Sequence, residues 1–470
     1  MAEHDLTARR RKMFKPATLI HKSEWPQIRS FIVCVGILFF LIIFQQSAHA
    51  VPSYARQTGL PCSGCHYNPP ELNAAGRQFK LYGYINMVRN MTITAKGDER
   101  HAPLDILQVL PLSAWFEASF TNTKAPQPGT QNGNAEFPQD ISLFLAGAWA
   151  QHVGSFLQLT YDTQGDHFSM DNTDIRYARV GKLAGKEWVW GITLNNNPTV
   201  EDLWNSTPAW GFPFIASDVA PSPTAAPMIQ GALAQDVAGV GGYTMWNQHL
   251  YFAGTLYRSA HLATSQPSSG QDFAFNIRGV APYWRVAWQQ NGLKNNFEVG
   301  GYGMHVSSSP GAITGPEDTY TDYAADFQYD RIISKDVLSL RGTYIRENSE
   351  LLASLAAGAA GFSPHHLNAF NTNAEYHFGN RISSAIGWFT TTGTTDQLLY
   401  PQENISGSAN GSPQSAGYTF NFSVWPSQNI DLGFQYTGYT RFNGAAKNYD
   451  TSGRNANGNN AVYLLARFVF

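Results

Sequence analysis

From about residue 105 onward, apolar and polar side chains take turns in runs of roughly ten residues, the pattern of strands with one oily and one wet face. In the clearest run Ile430, Leu432, Phe434, Tyr436 and Phe442 share one parity, and Asp431, Gln435, Thr437 and Arg441 the other. Tyr418, Phe420, Phe422 and Val424 alternate in the same way with Thr419, Asn421 and Ser423. No stretch here keeps a helical period over any length, and none after residue 50 approaches the roughly 18 consecutive apolar residues of a membrane helix. A soluble sandwich also alternates, so the strands alone leave the class open.

The connections decide it. Candidate strands fall near 107–120, 140–150, 153–162, 173–182, 187–196, 236–246, 249–259, 273–289, 296–306, 320–330, 337–347, 367–378, 381–391, 417–425, 429–442 and 460–470, sixteen in all. Short links such as Gln151-His152, Asn247-Gln248, Gly379-Asn380 and Pro426-Ser427-Gln428 alternate strictly with long polar ones at 121–139, 197–235, 348–366, 392–416 and 443–459. Segregated loop lengths are expected of a barrel whose turns face two different compartments. The last strand closes on an aromatic residue, Phe470, as bacterial outer-membrane barrels do. The expected fold is therefore all-β: a transmembrane antiparallel β-barrel of about 16 strands.

Composition agrees. Charged residues are 14% of the chain, against roughly 25% in ordinary globular domains, while aromatics reach 13%. Residues up to about Arg29 are basic, an apolar run Phe31–Phe44 follows, and Ala48-His49-Ala50 has the small-x-small form of a signal-peptidase site. Residues 1–50 read as a signal peptide. Its removal leaves 24 basic against 31 acidic residues, a net charge of −7, which gives no electrostatic case for binding nucleic acid.

Candidate chemistry sits between the leader and the first strand. In Cys62-Ser63-Gly64-Cys65-His66 two thiols three positions apart are placed to bind the two vinyl groups of a porphyrin, and the following histidine to ligate its iron. A zinc site would need two more ligands at similar spacing, and no cysteine follows Cys65. A thioredoxin-like dithiol would need a helix after the pair, and Pro69-Pro70 stops one there. The expectation is one covalent haem c on Cys62, Cys65 and His66. Met87, Met91 and His101 are the nearest candidates for the second axial ligand. Glu71–Leu81 reads as a short helix. Asp162, Asp166, His167, Asp171 and Asp174 form an acidic group that would attract Fe(II), or simply a solvated loop.

With these pieces the chain resembles the fused outer-membrane monohaem cytochrome-porins, whose best-known members are the iron-oxidising outer-membrane cytochromes. The resemblance rests on Tyr54–Gly59 ahead of Cys62–His66, on Leu72-Asn73 and Gly76–Lys80, and on Asn195–Val200 and Trp204–Pro213 in a long loop. It implies a leader at 1–50, a monohaem cytochrome c domain at 51–104 and an outer-membrane, porin-like barrel at 105–470. It also implies an iron:cytochrome oxidoreductase, with extracellular ferrous iron as donor and a periplasmic cytochrome c or similar carrier as acceptor. The haem domain is expected in the barrel lumen or on its periplasmic side. Two alternatives stay open: a conduit for a donor other than iron, and a diffusive porin with an accessory haem domain.

Overall fold

The structure, a computed structural model, describes residues 52–88, 92–98, 100–101, 104–127, 130–260, 276–310 and 314–470. The expected signal peptide and Met91 lie outside the described residues.

Two short helices come first, α1 (Ser53–Thr58) and α2 (Ala74–Leu81), with a 3-10 turn at Cys62–Gly64 between them. A hairpin of β1 (Thr92–Ala95) and β2 (Leu104–Leu107) follows. The barrel begins with β3 (Leu112–Thr123), β5 (Asp140–Ala150), β6 (Val153–Asp162), β7 (His167–Leu183) and β8 (Lys186–Asn195). It continues through β9 (Val237–Trp246), β10 (Leu250–Ser259), β11 (Ala281–Asn291), β12 (Asn295–Ser308), β13 (Asp318–Ile333) and β14 (Asp336–Leu351). The last strands are β15 (His365–Phe378), β16 (Ile382–Gly393), β17 (Ser415–Ser427), β18 (Ile430–Arg441) and β19 (Ala461–Val469). A three-residue piece, β4 (Asn134–Glu136), pairs with the end of β3 beyond the β3–β5 ladder.

These sixteen long strands form an antiparallel meander that closes where β19 meets β3, from Ala461 opposite Thr123 to Val469 opposite Trp115. Closure matters physically. An open sheet edge would leave backbone N–H and C=O groups unpaired in hydrocarbon, where no water can satisfy them.

The two faces are inverted relative to a soluble barrel. On β11, Trp284, Val286 and Trp288 are exposed on the outside while Arg285, Ala287 and Gln289 are buried inside. On β12, Phe297 and Val299 face out, and Asn296 and Glu298 face in. An apolar exterior around a polar, charged lumen is what a membrane-spanning barrel requires, since lipid must meet apolar side chains and water polar ones.

The sixteen strands appear where the alternation puts them, with three corrections, and one helix starts later than expected. The first expected strand, 107–120, is two elements: Leu107 ends β2 and the barrel starts at Leu112, because Pro111 between them has no N–H to give a ladder. The strand expected at 173–182 spans His167–Leu183, so its preceding connection, 163–166, is short although it lies at the long-loop end. Strict alternation of link length therefore fails at this one place. The strand expected at 273–289 starts at Ala281, with 273–275 outside the described residues. Finally, α2 begins at Ala74 rather than Glu71, because Asn73 in extended conformation caps it, its side chain accepting from the Gly76 N–H.

Two segments run through the lumen. Residues 52–88 are bonded to the inner wall nearly all the way round. The Tyr54 hydroxyl donates to the Ser155 carbonyl at 2.5 Å and that of Tyr84 to Asp174 at 2.6 Å, on β6 and β7. Tyr82 donates to Glu187 on β8 at 2.7 Å. Arg77 pairs with Asp330 on β13 at 3.2 Å, and Asn68 donates to Ser383 on β16 at 2.8 Å. The second segment, loop 196–236 between β8 and β9, also folds inward. Trp204 donates to Gln289 at 3.1 Å, Ser206 to Asp326 at 2.5 Å, and Gln435 on β18 to the Ile215 carbonyl at 2.5 Å. The two inserts touch: Leu72 N donates to Asn205 at 2.9 Å, and Lys80 Nζ to the Val200 carbonyl at 2.7 Å.

Candidate functional site

The Cys62–His66 turn is held from three sides. Within it, the N–H groups of Cys65 and His66 both donate to the Cys62 carbonyl, at 3.1 and 2.9 Å, so the two cysteines and the histidine sit on one tight turn. Behind it, Asn73 N donates to the Cys65 carbonyl at 2.9 Å and the Asn73 amide to the Ser63 carbonyl at 3.2 Å. In front, Cys62 N donates to Gln428 in the short β17–β18 turn at 3.0 Å. Asn68 accepts from the Trp425 indole and donates to Ser383, which fixes the chain just after His66.

Gly76 explains why α2 approaches so closely. A Cβ there would lie 2.1 Å from the Cys65 carbonyl oxygen and 3.0 Å from Leu72. Gly76→Ala is thus expected to push the cysteine turn off the helix at a cost of about 1–3 kcal/mol, which exceeds the roughly 1 kcal/mol that alanine gains in a helix. Limited proteolysis of the purified protein checks it: cleavage within 52–88 should accelerate, and an unchanged rate would show that the contact carries no strain.

The turn borders a cleft of about 230 Å³ lined by Cys62, His66, Tyr67, Asn68, Arg381 and Gln428 among others. Both thiols are free. Burial raises Cys62 above its ordinary value and, with Cys62 adding to it, pushes Cys65 up to about 11. Neither is the acidified thiol of a redox dithiol. Burial also lowers His66 to about 4, opposed by the backbone at Glu71 and Pro70, so the imidazole is neutral, and its Nδ1 is buried without a hydrogen-bond partner. Two free thiols and an uncharged, under-satisfied imidazole on one turn are a donor set that fits a c-type haem.

The other sequence-derived residues do not gather here. Met87 is partly buried beyond α2 and does not line the cleft. His101 is exposed on the β1–β2 hairpin, where it pairs with Asp98 at 2.9 Å. The acidic group splits: Asp162, Asp166 and His167 stay together at the β6–β7 turn, with Asp162 opposite His167, while Asp171 and Asp174 lie further along β7. Asp174 points into the lumen and pairs with Arg176 at 2.8 Å, Asp171 accepts from Ser169 and Gln235, and Asp166 accepts from Tyr161. His167, Asp171 and Asp174 are on β7 rather than in a loop. Conversely, Asn68, Trp425 and Gln428 at the cleft carry no motif; only the turn spacing at 426–428 hinted at one of them.

No family model and no curated protein matches the chain. Among solved structures it is similar to a Salmonella typhi OmpF complex with daunomycin (12% identity, 76% of this chain and 97% of that one, TM-score 0.43). It is also similar to the outer membrane channel DcaP of Acinetobacter baumannii (12%, 76% and 96%, 0.43) and to an anion-selective porin from Comamonas acidovorans (10%, 76% and 98%, 0.43). These likenesses are distant and carry no argument; the class follows from the ladder and the two faces. The chain is a porin-like transmembrane β-barrel. Its lumen holds two inserts, one bearing the Cys62–His66 turn.

Proposed function

We propose that the protein is an outer-membrane monohaem c-type cytochrome that takes electrons from extracellular ferrous iron and passes them to a periplasmic cytochrome c or similar carrier. The observation that supports it is one juxtaposition: a turn bearing two free thiols and a neutral imidazole lies beside the short β15–β16 and β17–β18 turns of a membrane barrel. Short turns face the periplasm in barrels of this kind and long loops face outward. A carrier approaching from the periplasm would meet this end.

When bound, haem supplies a one-electron carrier. Cys62 and Cys65 would hold it as thioethers, and His66 would offer its iron an imidazole nitrogen that needs no proton removed near neutral pH. Asn73 and Gly76 fix the turn that carries all three. The cleft is smaller than the roughly 300–1,000 Å³ usual for bound cofactors, so side chains at its rim, Arg381 and Gln428, would move aside. Loop 196–236 and residues 52–88 bond to each other and to the inner wall, which supports a conduit that moves charge while leaving the iron outside; the barrel is equally compatible with a diffusive porin carrying an accessory haem domain. Anaerobic mixing of the purified ferric protein with ferrous iron tests the reading. A haem that iron leaves oxidised would favour a conduit for another donor.

A further inference from the structure

Glu71, five residues beyond His66, meets Glu375 and His377, which lie two apart on β15 and so on the same inner face. The three side chains are 0%, 3% and 1% exposed. One ligand atom from each lies within 4.8 Å of the others. His377 Nε2 is 3.5 Å from Glu71 Oε2, and His377 Nδ1 is 3.9 Å from Glu375 Oε1. Glu71 Oε2, Glu375 Oε2 and both His377 nitrogens are buried without a hydrogen-bond partner.

Arg341 touches both carboxylates, in a close ion pair with Glu71 Oε1 and at 3.6 Å from Glu375 Oε2. The neighbouring Asp330 is matched by Arg77. One guanidinium therefore serves two carboxylates, beside an imidazole that has no hydrogen bond of its own. Buried groups of this kind are normally satisfied.

We propose that Glu71, Glu375 and His377 hold a resident divalent transition-metal ion that ties the lumenal segment to the barrel wall. An ion about 2.0–2.2 Å from each donor sets neighbouring donors roughly 3–3.5 Å apart. The 3.5 and 3.9 Å contacts use different nitrogens of His377, and an ion takes only one, so three donors that lie within 4.8 Å of one another would draw together by up to about 1.3 Å on binding. One imidazole with two carboxylates selects Mn(II), Fe(II) or Zn(II) over the all-oxygen preference of Ca²⁺ and over thiolate-loving Cu(I). Full burial makes it a resident ion and not the site at which an exchanging donor is oxidised. The proposal does not rest on the haem reading, since the wall supplies two of the three ligands.

The test uses the full-length protein in detergent, stripped with chelator and titrated with Mn(II), with free Mn(II) read from its room-temperature EPR signal. The expected result is one Mn(II) bound per chain, displaced by Zn(II), and at least tenfold weaker binding in Glu375→Gln and in His377→Ala. A double variant at the distant facing pair, Asp322→Asn with Glu347→Gln, should bind as the parent does. A second reading needs no variant: Mn(II) should raise the thermal unfolding midpoint of the stripped parent. No binding and no thermal shift, as for two carboxyls sharing a proton, would overturn the proposal, and so would binding undiminished in Glu375→Gln.

Discussion

The Cys62→Ser, Cys65→Ser variant, exported alongside the parent, is expected to carry no haem that survives denaturation, against one per chain in the parent. Thioether bonds need both sulfurs' chemistry, and serine hydroxyls do not add to the vinyl groups. The barrel itself should assemble, because neither thiol makes any of the bonds that fix residues 52–88; those come from Tyr54, Asn68, Arg77, Tyr82 and Tyr84. Haem staining of denaturing gels, beside β-sheet circular dichroism of the same samples, separates the two effects. Stain retained in the double variant would place the haem elsewhere or exclude covalent attachment at this turn.

Arg285→Ala is expected to be the most damaging single change in the lumen. The guanidinium is 3.2 Å from Asp202, 3.2 Å from Glu298 and 2.8 Å from Asp326, and all four side chains are at most 2% exposed. Its removal strands three buried carboxylates, and breaking a buried pair typically costs about 3–5 kcal/mol because a charge is left uncompensated. Arg285→Lys keeps the charge but loses the planar fork, so an intermediate loss is expected. Denaturant titration in detergent reads the loss directly. Asp202 belongs to loop 196–236 and the other two acids to the wall, so the same variant should loosen the loop and raise ion conductance in planar bilayers. Unchanged stability would mean that the three acids are protonated and need no cation.

Strand positions were legible because a single local rule, apolar out and polar in, is repeated along each strand, and because lipid permits no exception on the outer face. Where polar residues occupy both faces the rule goes silent. Ser169, Asp171 and Asn172 made the start of β7 resemble a loop, yet Ser169 pairs with Thr160 on β6, Asp171 and Asn172 sit at a register shift in that ladder, and the segment is strand. The inward folding of loop 196–236 was not legible either. Its anchors, Asp202 to Arg285 and Asn205 to Leu72, join residues far apart in the chain and leave no spacing to read.

At the site, the Cys62–His66 spacing stood out because covalent haem attachment would dictate it. Gly76 and Asn73 entered only through resemblance; their physical reasons, a Cβ forbidden by the Cys65 carbonyl and a cap that also grips Ser63, need the packing. Glu71 offered no signal at all, since its partners Arg341 and His377 lie some 270 to 306 positions away in the numbering.

The central claim is that ferrous iron reduces a haem held by Cys62, Cys65 and His66. Stopped-flow mixing of anaerobic Fe(II) with the purified, oxidised protein measures it. The account predicts the sharpened absorption bands of a reduced c-type haem, with an amplitude matching one haem per chain. A protein that shows no haem spectrum, or one whose haem reduces with dithionite but stays oxidised in excess Fe(II), would contradict it.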